Sequence, residues 1–172
     1  MAPPQVNDIW QVAAALCVFL VLAGHVTLES GLVRAKHSVN AAAKALVQTG
    51  MTAIAIWLVG QGLMASGGPL SGRGPFASGE AALAAPLLFD IALACAAVTI
   101  LSGPTAERAT LKAHAVAVLA FSLAIFPLAV HWAWAGGATP GWLAAIGYVD
   151  LAGAGVIHVT AGAAAITAAA LI

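Results

Sequence analysis

The chain has 172 residues, of which 62% are hydrophobic and only 7% are charged, and its formal net charge is zero. A soluble domain normally carries about 25% charged residues. The few charges of this chain cannot build a water-facing surface. The neutral charge balance excludes a basic field that would attract nucleic acid. The two cysteines lie in apolar runs and suggest neither a disulfide framework nor a metal site. The composition therefore predicts an all-α membrane protein whose solvent is the lipid bilayer.

Five apolar segments are long enough to cross a membrane, which takes about 20 residues. They cover residues 9–32, 38–65, 81–102, 111–133 and about 150 to 172. Asn7 and Asp8 are candidate caps of the first segment. The first ten residues lack the basic start of a signal peptide, so we expect this segment to stay in the protein. The last segment ends in ITAAALI without a helix-stop signal, which suggests that the chain is truncated at its C-terminus.

The basic residues are distributed unequally between the two sides of the membrane. Five of them fall at the first and third loops: Arg34, Lys36, Lys44, Arg108 and Lys112. Only Arg73 falls on the other side. Basic residues favour the cytoplasmic side, so this bias predicts a multi-pass protein of the cell membrane, plasma or inner, with its N-terminus outside.

Ionisable groups within the membrane are costly and therefore need a reason. His158 lies eight residues after Asp150, about 12 Å along a helix and close to mid-membrane. A neutral imidazole there can donate one hydrogen bond and accept another, which suits the passage of a small polar molecule. The alternative is a histidine satisfied by a neighbouring helix. Asp150 is placed to cap the last helix and to meet the positive end of its dipole.

For three further ionisable residues, the His25–Glu29 pair and Asp90, the sequence allows two interpretations each. His25 and Glu29 are four residues apart and share a helix face, which favours a local hydrogen-bonded pair over a secondary proton site. Asp90 either faces an outer water-filled vestibule or pairs within the bundle. His114 and His131 lie near helix ends, where interfacial anchoring explains them.

Aromatic residues near the outer face, among them Trp132 and Trp142, are typical of an interfacial belt. A tryptophan face can also bind a cation. The sequence contains no nucleotide-binding loop, zinc-binding helix or nucleophile elbow. We therefore expect no enzyme activity, no catalytic residues, no metal and no cofactor.

Several strings, in the same order, resemble the ammonium transporter (Amt/Mep/Rh) family. They are LESGLVRAKHSVN (28–40), WLVGQGLM (57–64), SGPTAER (102–108), HWAWAGG (131–137) and DLAGAGVIH (150–158). The resemblance implies one ammonium transporter-like domain over residues 1–172, forming half of an eleven-helix fold with two five-helix halves in inverted topology. It also implies a homotrimer with one pore per subunit.

By this resemblance, His158 matches the first histidine of the pore's pair and Trp134 the tryptophan of the outer ammonium site. Phe89 matches the outer phenylalanine of the gate, and Leu93 stands where the inner gate phenylalanine is expected. Asp150 matches the structural aspartate near the outer site. Asp90 departs from the family because a polar, usually uncharged residue is expected there, and the second half of the fold is absent.

The resemblance implies that ammonium is bound outside, loses its proton and crosses as ammonia through an apolar pore that contains histidine. A first alternative is an ammonium sensor, the transporter-like membrane domain of a signalling protein. A second is a helical scaffold without transport, which a flux assay would distinguish from the other two.

Overall fold

A computed structural model describes residues 4–66, 84–136 and 140–172. Within these residues, five helical segments are long and apolar enough to span a membrane. They are Val6–Leu32, Ala35–Met64, Ala85–Thr105, Leu111–Trp134 and Ala154–Leu171. The predicted set of five spans is confirmed for this part of the chain, whereas Arg73 and most of the predicted second loop (66–80) lie outside the described residues.

The first three spans contain four α-helices, and one of these spans is interrupted by a π-helical turn. The helices are α1 (Pro4–Leu32), α2 (Ser38–Ala55), α3 (Gln61–Ser66) and α4 (Ala84–Ser102). The π-helical turn, Ile56–Gly60, joins α2 to α3. A short 3₁₀ turn, Ala35–His37, joins α1 to α2.

The last two spans each contain a π-helical segment, a feature that often occurs at functional sites. Their helices are α5 (Leu111–Ala120), α6 (Phe126–Trp134) and α8 (Thr160–Leu171). The short helix α7 (Trp142–Ala145) lies between the two spans. The π-helical segments are Phe121–Ile125, between α5 and α6, and Ala154–Val159, directly before α8.

Two helix starts differ from the sequence-based expectation. The first helix begins at Pro4, so Asn7 and Asp8 lie inside it and the prediction that they cap it was wrong. A membrane helix can extend beyond the hydrocarbon core into the polar headgroup region, where such side chains are solvated. The last span begins at Ala154 rather than Asp150, because Ala152 and Gly153 adopt positive φ angles of 55° and 77°.

The third span lies at the centre of the bundle. Half (50%) of its apolar 18-residue stretch is buried inside the protein, whereas only 11% of the corresponding stretch of the first span is buried. Its contribution to the core comes from Ala94, Ala97, Val98 and Leu101. Small side chains let helices approach closely, which is a main source of packing energy between helices in lipid. The first span lies at the edge of the bundle and keeps most of its apolar surface exposed, as suits contact with lipid.

The loops 34–37 and 103–108 meet at one end of the bundle, which we call the basic end. The Arg34 backbone N–H donates to Glu107 Oε1 over 2.6 Å, and Arg34 Nε donates to Glu107 Oε2 over 3.0 Å. Because of these bonds, first of all the one from the Arg34 backbone N–H, the pKa of Glu107 is lower than its ordinary value of 4.5. The structure thus supports the prediction that these two loops lie on the same side.

A row of polar side chains on α2 faces the fourth span. Gln48 Oε1 lies 2.9 Å from His114 Nε2, and the Thr52 and Ser122 hydroxyls are 3.0 Å apart. Buried polar groups in lipid need partners of this kind. The expectation that His114 anchors at the interface was wrong, because only 2% of it is exposed.

Lys44 also differs from the prediction. It was counted with the charges of the first loop, but it lies inside α2, within the span, and only 1% of it is exposed. A helix turns its residues inward every three to four positions, so a lysine two turns beyond a loop can point into the bundle.

The tether at the basic end predicts a pH-dependent contribution of Glu107. A lowered folded-state pKa stabilises the folded protein above the ordinary pKa of 4.5, and this contribution is lost as the pH falls through the lowered value. In detergent, Glu107→Gln should lower the melting temperature at pH 7 by roughly 1–3 °C, a small shift because the pair is exposed. The difference in melting temperature between this variant and the unsubstituted chain should disappear in acid.

Asp8→Asn, on the first helix, is the matched control and should not change this pH dependence. A gap for Glu107→Gln that stays constant from pH 7 to pH 3 would contradict the assignment.

Candidate functional site

The carboxylate of Asp150 joins two parts of the chain at the end opposite the basic end. It accepts hydrogen bonds from the backbone N–H groups of Gly155, over 2.8 Å, and Val156, over 3.1 Å. Trp134 Nε1 donates to the same carboxylate over 3.1 Å. Asp150 therefore satisfies two backbone donors at the start of the last span, as its sequence position indicates, and also fixes the orientation of the Trp134 indole.

This arrangement requires glycine in the turn that follows Asp150. A Cβ atom on Gly153, where φ is +77°, would lie 2.4 Å from the Ile157 side chain. A Cβ atom on Gly155 would lie 2.0 Å from the Tyr148 hydroxyl. Tyr148 therefore packs over the start of the last span, in a role that no pattern in the sequence indicated.

Trp134 ends α6 and is half-buried. After it, Ala135 turns into an extended conformation, and the Gly141 backbone lies so close to the carbonyl groups of His131 and Trp132 that a Cβ atom would not fit. Trp132 packs edge-on against Trp142, with ring centroids 6.1 Å apart. Gly141 and Trp142 are thus held against the end of α6.

His158 lies in the π-helical segment before α8 and is exposed on the surface of the bundle. Its Nδ1 atom is 3.2 Å from the Gly153 carbonyl oxygen, an acceptor, so Nδ1 carries the proton. In a neutral imidazole Nε2 then keeps a lone pair that can accept a hydrogen bond. The histidine is thus oriented by its own segment and not by a neighbouring helix.

Phe89, Asp90 and Leu93 lie on the central helix α4. Phe89 and Leu93 are half-buried, four residues apart and so on one face, and Leu93 packs against the core. Asp90 Oδ2 accepts a short hydrogen bond from Gln61 Nε2. Of the two interpretations of Asp90, the structure favours pairing within the bundle. Sequence reasoning missed Gln61, because its partner comes from another span.

His25 and Glu29 share one helix face but do not form the predicted hydrogen bond. His25 Nε2 lies 3.9 Å from Glu29 Oε2, beyond hydrogen-bonding distance, and it has no such partner among the described residues. Glu29 instead accepts a hydrogen bond from Ser102 Oγ over 3.0 Å. Both residues line a cavity of about 550 Å³ at the basic end, so they are not part of the site around Asp150.

These features define a multi-span α-helical membrane protein with a polar site. The site consists of a tryptophan fixed by a carboxylate at one end of the bundle and a histidine exposed along the last span. Comparison with known proteins identifies the protein further. The chain matches the model of the Ammonium Transporter Family over residues 9–172, and it therefore belongs to that family. The resemblance that its sequence strings indicated is confirmed.

Individual relatives give the same result. Ammonium transporter 3 of Dictyostelium discoideum is 35% identical over 156 residues, which cover 89% of this chain and 36% of that protein. Ammonium transporter Amt2 of Haloferax mediterranei is 33% identical over 176 residues, which cover 95% of this chain and 38% of that protein. A solved structure titled Sensor Amt Protein matches with a TM-score of 0.79 at 30% identity, over 90% of this chain and 41% of that one.

The chain therefore spans between 36% and 38% of the length of these two relatives. With five spanning segments among its described residues, it corresponds to half of the family's fold, so the predicted fold class is confirmed.

Removal of the Asp150 carboxylate should destabilise the protein. Asp150→Ala leaves two backbone N–H groups and the Trp134 N–H without their acceptor. We expect the free energy of unfolding in detergent to fall by about 1–3 kcal/mol. The control Asp8→Ala should change it by less than about 0.5 kcal/mol. Equal stability of the two variants would show that the cap contributes nothing.

Proposed function

We propose that this chain supplies one wall of a transmembrane path for ammonium and ammonia. The observation that carries the proposal is His158, whose imidazole is exposed on a span of small residues while its Nδ1 is held by the Gly153 carbonyl. A fixed lone pair on Nε2 suits a neutral molecule that has N–H groups to donate. Intramembrane ionisable residues mark ion or substrate pathways by default.

Trp134 is the proposed collecting site at the outer end. Its indole is held by Asp150, so that its ring is presented in one orientation without further loss of side-chain entropy. A cation over a tryptophan face gains about 0.5–2 kcal/mol. The Asp150 carboxylate itself is engaged with backbone N–H groups and acts by orienting the site.

In this proposal the ion gives up its proton on the way from the outer site to His158: the N–H bond breaks, the lone pair of His158 Nε2 accepts the proton and passes it on, and ammonia remains. An unpaired charge in an apolar medium costs far more than a neutral polar molecule, so ammonia crosses and the charged form does not. Phe89 and Leu93 are the proposed gate residues on α4, and Asp90, paired with Gln61, would influence the field near Phe89. Potassium is rejected because it has no proton to release.

The remaining expectations from the family also belong to this proposal. They are a homotrimer, insertion in the cell membrane, and an N-terminus on the outer side, which the basic end supports because Arg34 and Arg108 lie there together.

One histidine on an open face supplies only half of a histidine pair. We therefore expect the 172-residue chain alone to conduct little.

The test measures ammonium-driven internal pH change and potassium leakage in liposomes. The full-length product of the gene, its His158→Ala variant and the chain alone are compared. His158→Ala should reduce ammonium flux at least about tenfold or raise potassium leakage, since it removes the hydrogen-bonding group from an apolar path. His37→Ala, in the loop at the basic end, is the matched control. If His158→Ala leaves both flux and leakage unchanged, His158 does not line the path.

The second candidate is ammonium sensing without net transport. It is favoured by the match to the solved structure titled Sensor Amt Protein, with its TM-score of 0.79. A sensor would bind ammonium at Trp134 but show no flux. Ammonium binding without flux in the same liposomes would support the sensor, whereas flux that depends on His158 would support transport.

A further inference from the structure

Lys44 is the most deeply buried charged side chain among the described residues, with 1% of its surface exposed. A buried ammonium is costly unless hydrogen bonds and an opposite charge compensate for it. The structure provides both. An apolar residue such as leucine would need no such partners at this buried position, so the lysine indicates a role that requires the ammonium.

The partners of Lys44 are backbone groups of the turn that joins α4 to α5. Its Nζ donates to the Ala106 carbonyl over 2.8 Å and to the Ala109 carbonyl over 2.6 Å. These carbonyls follow the C-terminal end of α4, where the helix dipole favours a cation. The turn ends at Thr110, whose hydroxyl accepts from the Ala113 backbone N–H and begins α5.

Glu29 on α1 is the acidic residue that acts electrostatically on Lys44. Glu29 is only 7% exposed, and its carboxylate accepts a hydrogen bond from Ser102 at the end of α4. The lysine therefore connects α2 to the α4–α5 turn from inside the bundle, and Glu29 connects α1 to the end of α4. The exposed Arg34–Glu107 pair holds the same turn from outside.

The turn separates two cavities at the basic end. On one side, Pro104 and Glu107 line the cavity of about 550 Å³ beside α1. On the other side, Thr105 and Ala109 line a cavity of about 170 Å³ whose opposite wall is Ala168 and the end of α8. A displacement of the turn would therefore change the width of both cavities, the smaller of which, beside α8, we call the basic-end opening.

We propose that Lys44 is a positioning residue: its ammonium holds the turn 103–110 in place and thereby sets the width of the basic-end opening beside α8. Lys44 does not touch the transported molecule. The part of this inference that concerns flux rests on the proposed function, and the part that concerns the turn does not.

The turn is tested by cysteine labelling in liposomes. Ala106→Cys places a thiol at a position that is only 6% exposed, in a chain that also carries Cys17→Ser. Lys44→Met removes the ammonium at similar side-chain length, and loss of two charge-assisted hydrogen bonds should raise the labelling rate at least about tenfold. Lys36→Met, an exposed lysine of the neighbouring loop, should leave the rate unchanged.

Lys44→Met also leaves Glu29 without its balancing charge and can fail to fold for that reason. The double variant Lys44→Met, Glu29→Gln removes both charges and should fold with the same rise in labelling. An unchanged labelling rate would overturn the proposal. Failure of the double variant to fold would also overturn it, because Lys44 would then be needed for the whole fold and not for the turn.

Flux is measured on the full-length product with the same substitutions. We expect Lys44→Met to lower the maximal rate severalfold and to leave the half-saturating ammonium concentration unchanged, because Lys44 lies far from Trp134. Faster labelling with an unchanged maximal rate would overturn the link to the opening. Absence of flux in the unsubstituted protein would instead contradict the proposed function, and the labelling result would still decide whether Lys44 holds the turn.

Discussion

The carboxylate of Asp150 fixes the geometry of the described residues around the start of the last span. It binds the first N–H groups of the last span and the indole of Trp134 at the same time. Because the chain turns through Ala152 and Gly153 to make these contacts possible, the Gly153 carbonyl is left pointing at His158 Nδ1. The aromatic site and the exposed histidine are thus two consequences of one capping interaction.

The basic end is organised by a different interaction. There the Lys44 ammonium donates to two backbone carbonyls, and Glu29 acts on it electrostatically. In lipid, each backbone or side-chain polar group has to find its partner within the protein. One end of the bundle therefore presents a polar site that remains half-open, and the other closes a charge inside the helices. Under the proposed function, the two arrangements suit entry of a cation at one end and a fixed opening at the other.

Much of this architecture follows from the sequence, because membrane spans depend on length and hydropathy alone. Asp150 as a cap and the five spans were predicted from local pattern. Pairings between spans were not predictable in this way: Glu29 bonds Ser102 rather than His25, and His114 bonds Gln48 within the bundle. Helical periodicity tells which residues share a face but not which neighbouring helix meets that face. For the same reason Lys44 was assigned to a loop, although its side chain points inward.

The most direct test of this account is the ammonium concentration dependence of flux for Asp150→Asn in the full-length protein. An asparagine keeps the size of the side chain but brings an N–H₂ group against the donors that Asp150 accepts, so Trp134 loses its fixed orientation. We predict a rise of about tenfold in the half-saturating ammonium concentration, in line with the loss of an oriented cation–π contact. An unchanged half-saturating concentration, measured in a variant that is folded and inserted, would contradict the claim that Asp150 orients the proposed ammonium site.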